Sequence, residues 1–130
     1  MTAITETSES LLRFASRLDG AVVALLGVAM VAFAGAASTL TGLPTPVEYG
    51  VGALSIAYGP LAFVLAARDQ VRTVGLVLAV VNVLTTAGLV VLVLTDVAGL
   101  TATGNALALA VGAYTAAIGG LQYLGARRTP

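Results

Sequence analysis

Four long apolar stretches, separated by short polar punctuation, organise the chain. From Gly20 to Val47 no residue is ionisable. A helix crossing the hydrocarbon core of a bilayer needs roughly 20 apolar residues, so the first span is expected at 20–41. Thr41-Gly42-Leu43-Pro44-Thr45-Pro46 closes it, because each proline disfavours helix in the residue before it. The second span is expected at 48–67, ending before Arg68, Asp69 and Arg72. Pro60 inside it frees the carbonyl of Ile56 and predicts a kink, eased by Gly59 and Ser55. The third span reads as 73–95, closed by Asp96, and the fourth as 102–125, before Arg127 and Arg128. Four spans with short connections predict an all-α, up-down, four-transmembrane-helix bundle.

The stretch before the first span reads differently. Residues 1–19 hold five of the twelve charges. Thr7 or Ser8 is placed to cap a short helix, with Glu9 in its first turn. Leu11, Phe14, Ala15 and Leu18 then share one face, with Arg13 and Arg17 on another. This predicts a short amphipathic helix lying in the membrane interface. The expected organisation is an N-terminal segment, 1–19, followed by a four-helix transmembrane domain, 20–130. Ala34-Gly35-Ala36 resembles a signal-peptide cleavage site. The apolar run continues past it to Thr41, long enough to span, so the first helix is expected to be retained.

Composition agrees with the pattern. The chain has 130 residues, of which 58% are hydrophobic and 9% charged, with a mean hydropathy of +1.02. A soluble domain carries about 25% charged residues, and a chain of this size cannot hide so much apolar surface from water. The sequence has no His, Cys or Trp. Disulfides, thiolate or imidazole metal sites and cysteine nucleophiles are excluded. Ser38, Ser55 and the threonines have no His or Lys partner, so no enzyme, cofactor or metal is expected. No basic face is concentrated enough for nucleic acid.

All six basic residues are arginines, and all flank one side of the expected bundle: Arg13 and Arg17, Arg68 and Arg72, Arg127 and Arg128. The opposite loops carry only Glu48 and Asp96, which read as interface anchors. The positive-inside rule then puts both termini in the cytoplasm of a multi-pass protein. The abundance of Ala, Gly, Val and Leu without Lys suggests a GC-rich bacterial genome, hence the bacterial cell membrane.

Two patterns inside the spans invite a function. Gly104, Ala108, Gly112, Ala116 and Gly120 recur every four residues, a stripe that would let another helix backbone approach closely, either inside the bundle or from a second copy or a larger partner. A looser set at Gly27, Ala32, Gly35 and Ala36 occupies the first span. A polar belt at mid-depth comprises Ser55, Tyr58, Asn82 and Tyr114, with Thr85, Thr86 and Thr115 nearby. It reads either as interhelical hydrogen bonding, worth roughly 0.6–2 kcal/mol per contact, or as a small head-group or substrate site. No ionisable residue lies inside any predicted span, which reads against proton-coupled or ion-coupled transport. The halves also look alike: Thr41-Gly42-Leu43-Pro44 matches Ala98-Gly99-Leu100-Thr101, and Leu65-Ala66-Ala67-Arg68 matches Leu124-Gly125-Ala126-Arg127. A duplicated two-helix unit would produce this.

Leu18-Asp19-Gly20, Leu40-Thr41-Gly42-Leu43-Pro44, Val81-Asn82 and Leu121-Gln122-Tyr123-Leu124-Gly125-Ala126-Arg127-Arg128 carry a resemblance. Over residues 11–128 the chain resembles a family of small four-helix bacterial integral membrane proteins, and more distantly the DoxX-like proteins. That family often has an aromatic shortly after the third-span Asn, where this chain has Val83-Leu84-Thr85. The resemblance implies a four-helix fold and supplies no catalytic or binding residues. The expected function is that of a non-catalytic membrane protein, acting in the lipid bilayer as a homo-oligomer or as an accessory subunit of a larger membrane complex. The alternative is a small carrier, channel or lipid-binding protein that uses the polar belt, with a bound lipid as its ligand.

Overall fold

The computed structural model describes residues 2–130, without the side chains of residues 2, 4 and 5. Its regular structure is helical throughout: α1 (Thr2–Ala32), α2 (Ala34–Thr41), α3 (Thr45–Ala66), α4 (Val71–Thr95) and α5 (Ala102–Arg128). Four of these, taking α1 from Glu6, are long and apolar enough to cross a membrane. The protein is an all-α bundle of four long helices, by length and composition a multi-pass membrane protein. α1 packs chiefly on α3, and α4 on α5, so the bundle is two helical hairpins side by side.

The packing is inside-out relative to a soluble protein. Leu94, Leu54, Leu25 and Phe33 are each more than 60% exposed, whereas Asp19, Glu48, Asn82 and Gln122 are at most 4% exposed. Lipid solvates the aliphatic exterior, and small or polar groups take the helix contacts.

This inversion corrects the reading of the N-terminal segment. The helix there does not lie apart in the interface. It runs unbroken into the first span, and its packed face is Ser8, Leu12, Ala15, Ser16 and Asp19. The expected apolar face points largely outward: Phe14 is 63% exposed and Leu18 39%. Leu12 is fully buried with Val71 and Ala126, and fills the space that side chains at Gly75 and Gly125 would occupy. The Arg13 guanidinium donates to the carbonyls of Ala66 at 2.5 Å and Arg68 at 3.0 Å. It thereby caps the C-terminal end of α3, where a cation opposes the helix dipole.

The first span also differs at its far end. The expected helix 20–41 is divided at Phe33. The bonds Phe33 N–H to Ala29 O and Ala37 N–H to Phe33 O keep the four-residue ladder, so the division is a local bend. α3 continues through Pro60. At the end opposite the arginines the similar loops of the two halves meet. Thr101 N–H donates to Thr41 O at 3.0 Å, and the Thr101 hydroxyl, which also caps α5 through Gly104 N–H, donates to Leu40 O. Gly42, with φ of +84°, closes α2 there against the Gly99 carbonyl, where a Cβ would lie 2.9 Å from that oxygen.

The small-residue stripe of α5 is only partly a contact. Gly104 abuts the backbone of Thr41, and a Cβ there would collide with it. At Gly112 a Cβ would meet only Leu89, at 3.8 Å, and at Gly120 nothing within 4 Å. Ala116 is exposed and Ala108 half-buried. A strict four-residue repeat advances about 40° per step past a full helical turn, so it rotates off any straight seam. The buried face of α5 instead follows the helical period through Gly104, Gly112, Thr115, Ile118, Gly119, Gln122 and Ala126.

Between the long helices, α1 and α3 approach closely at two glycine pairs. A Cβ on Gly20 would lie 2.7 Å from Gly59 O, and one on Gly27 would lie 2.6 Å from Gly52 O. Both helices thus place glycines seven residues apart in antiparallel register. A Cβ at Gly35, from the looser set, would meet nothing within 4 Å.

Candidate functional site

The α1–α3 seam carries Asp19 and Tyr58 inward, each one residue before a seam glycine. Asp19 lies six residues beyond the Arg13 cap, about 9 Å into the bundle at the rise of an α-helix. Its side chain has no exposed surface. Tyr58 donates to Asp19 Oδ2 at 2.5 Å. Asn82 Nδ2 on α4 donates to the same oxygen at 3.0 Å. From α5, the Tyr114 hydroxyl donates to Oδ1 at 3.2 Å and Gln122 Nε2 reaches Oδ2 at 3.4 Å. Gln122 Oε1 in turn accepts from Asn82 Nδ2 at 3.0 Å. One carboxyl group therefore joins all four long helices.

The expected belt is reproduced in part. Tyr58, Asn82 and Tyr114 converge, and Asn82 faces inward. Ser55 does not join them: its hydroxyl donates to Val51 O of its own helix at 2.8 Å. Thr85 likewise bonds to Val81 O, while Thr86 donates to Gly112 O at 3.0 Å and meets the Thr115 hydroxyl at 2.7 Å. Asn82 Nδ2 also lies 3.0 Å from Leu78 O, one turn back on its own helix.

Asp19 and Gln122 are the residues that the sequence pattern left out. A span counted from the first uninterrupted apolar run begins at Gly20, which leaves Asp19 in the N-terminal segment. Counted from the packed level of Leu12, the same helix has Asp19 well inside. The signal available was the spacing Ser8-Leu12-Ala15-Ser16-Asp19, a helical face of small and polar residues that continues into Gly20 and Gly27. The premise that no ionisable group lies within the spans is therefore corrected.

The chain matches no known family model, no curated protein and no solved structure. Its chemistry must be read from the cluster itself. Tyr58, Asn82, Tyr114 and Gln122 are uncharged, so the carboxyl of Asp19 is held by hydrogen bonds without an opposing charge from them. Glu48 was expected as an interface anchor. It is instead 1% exposed, and Thr41 donates to its Oε1 at 2.5 Å. Asp96 is exposed in the loop after α4.

Proposed function

We propose that the protein is a small carrier or ligand-binding protein of the bacterial cytoplasmic membrane, with Asp19 as the group that takes up and releases a proton. One observation carries this reading: a carboxyl group with no exposed surface, in an apolar bundle, contacted by uncharged donors alone. Removing a carboxylate from water is expensive unless it is paired or neutralised. Intramembrane acids therefore mark proton or substrate paths by default. The half-buried phenols of Tyr58 and Tyr114 connect the carboxyl toward the bundle surface and are suited to pass a proton to it. The buried Ser16 hydroxyl, which has no hydrogen-bond partner among the described residues, lies one turn away on the arginine side. The arginine distribution supports cytoplasmic termini. An oligomeric or accessory role has only the exposed apolar faces behind it, and lipid covers those equally well.

The test is infrared spectroscopy of the protein in lipid vesicles. A protonated-carboxyl band that appears on acidification and is missing in Asp19→Asn supports the reading. A band unchanged by that substitution, or no acid-dependent carboxyl band in the folded wild type, rejects it and leaves Asp19 as a packing group.

A further inference from the structure

A groove between α4 and α5 leads from the arginine end toward the middle of the bundle. Leu76, Ala79, Val80, Val83 and Leu84 of α4 and Tyr123 of α5 enclose about 270 Å³. The α4 members recur at helical spacing and form one apolar face, about 12 Å long from Leu76 to Leu84. The groove ends beside a cation. Arg127 lies one turn beyond Tyr123, and its guanidinium carbon stands 5.8 Å from the centre of that ring. A ring face attracts a cation at this distance.

A second arginine reaches the same level. Arg72 stands one turn before Leu76, on the same face of α4. Thr86 bonds to Thr115, and a Cβ on Gly119 would lie 3.1 Å from Asn82 Cβ. The same antiparallel register, continued to the arginine end, sets Arg127 opposite Val74, two residues from Arg72. Both arginines are exposed, and neither has an ion pair or hydrogen bond among the described residues. The acid closest in sequence, Asp69, is also exposed and pairs with neither. An apolar groove that ends in two unpaired guanidinium groups matches a molecule with a hydrocarbon tail and an anionic head. Guanidinium groups bind phosphate oxygens bidentately, and basic pockets between membrane helices take anionic headgroups. A second copy of the chain, inserted the same way, would bring its own arginines against these.

We propose that this groove binds one anionic phospholipid, with an acyl chain against α4 and Tyr123 and the headgroup phosphate on Arg127 and Arg72. Tyr123 has two parts in it, as a wall for the chain and as the platform that keeps Arg127 at the groove's end. The site stands independently of the role of Asp19.

The protein has no tryptophan, so a single introduced one reports its own surroundings. Leu84→Trp places it at the far end of the groove. Leu54→Trp places it on the exposed surface of α3 at similar depth, because Tyr58 and Asn82 meet at Asp19 and the two leucines lie four and two residues beyond them. Each protein is put into vesicles of phosphatidylcholine and phosphatidylglycerol, with bromine on the acyl chains of one lipid or the other. Quenching then gives the affinity for phosphatidylglycerol relative to phosphatidylcholine. The ratio should exceed about 5 at Leu84→Trp and stay near unity at Leu54→Trp. Adding Arg127→Gln to Leu84→Trp should lower the ratio about fivefold, the effect of one arginine at an anionic surface. All these positions are exposed, so the helices keep their packing. Raising the salt concentration should lower the ratio as well, a check that needs no further variant. Equal quenching by the two lipids at Leu84→Trp, an equal preference at Leu54→Trp, or a preference that neither salt nor Arg127→Gln and Arg72→Gln together reduce overturns the proposal. Weak quenching by both lipids at Leu84→Trp alone would mean that a second copy covers the groove, and overturns it too.

Discussion

Adding one methyl group at Gly27 should separate the two helices that present Asp19 and Tyr58 to each other. A Cβ built there lies 2.6 Å from the Gly52 carbonyl oxygen, 2.8 Å from Ser55 Cβ and 2.9 Å from Ile56 N. Ordinary contact begins near 3.4 Å, so the seam must open by about 0.8 Å. Two of those three atoms are backbone, so no side-chain rotation relieves the clash. Overpacking of this kind costs about 1–3 kcal/mol. In water alanine would recover up to ~1 kcal/mol through helix propensity, but a helix separated within lipid is still a helix, so little of that gain applies. The opening also stretches the 2.5 Å bond between Tyr58 and Asp19. A net loss of about 2 kcal/mol corresponds to about 30-fold in the unfolding equilibrium. Gly120→Ala is the control, because its Cβ meets nothing within 4 Å, and it should change stability by less than ~0.5 kcal/mol. Unfolding of both variants in mixed micelles by titration with a denaturing detergent, followed by circular dichroism, measures the difference. Equal stability of Gly27→Ala and Gly120→Ala would refute the close backbone contact.

Arg13→Ala removes the donor to the Ala66 and Arg68 carbonyls and should cost about 1–2 kcal/mol in the same titration, with partial recovery in Arg13→Lys. Asn82→Leu takes one donor from Asp19 and one from Gln122. It should lose about 1–2 kcal/mol, and if Asp19 exchanges a proton it should also shift the acid midpoint of the carboxyl infrared band, which a purely structural Asn82 would leave in place. Cysteines introduced at Thr45 and Gly99 should react with an impermeant maleimide on intact cells while those at Gln70 and Thr129 do not; the reverse pattern would invert the proposed orientation.

The long helices were legible because their signal is thermodynamic and coarse: a run of residues that no soluble fold could bury. The ends of α3, α4 and α5 fall within three residues of the expected spans, where prolines, glycines and arginines mark them. What was not legible is which side of each helix faces its neighbours. In a soluble helix the apolar stripe points inward and periodicity reveals it. Here Leu, Val and Ile cover lipid-facing and helix-facing positions alike, so the discriminating residues are few and small: Ser8, Ser16, Gly20, Gly27, Gly52 and Gly59. Within the bundle the α5 stripe makes contact at Gly104 and Gly112 but not at Gly120, because a repeat of four does not keep pace with 3.6 residues per turn. Asp19 was missed for a related reason. An acidic residue next to an apolar run looks like the end of a span, and hydropathy alone cannot tell an end from an interior position. Only the glycine that follows Asp19 and the small residues that precede it mark a helix face too closely packed to lie in open lipid. A carboxyl on such a face has to find its partners inside the protein, and it does so in Tyr58, Asn82, Tyr114 and Gln122.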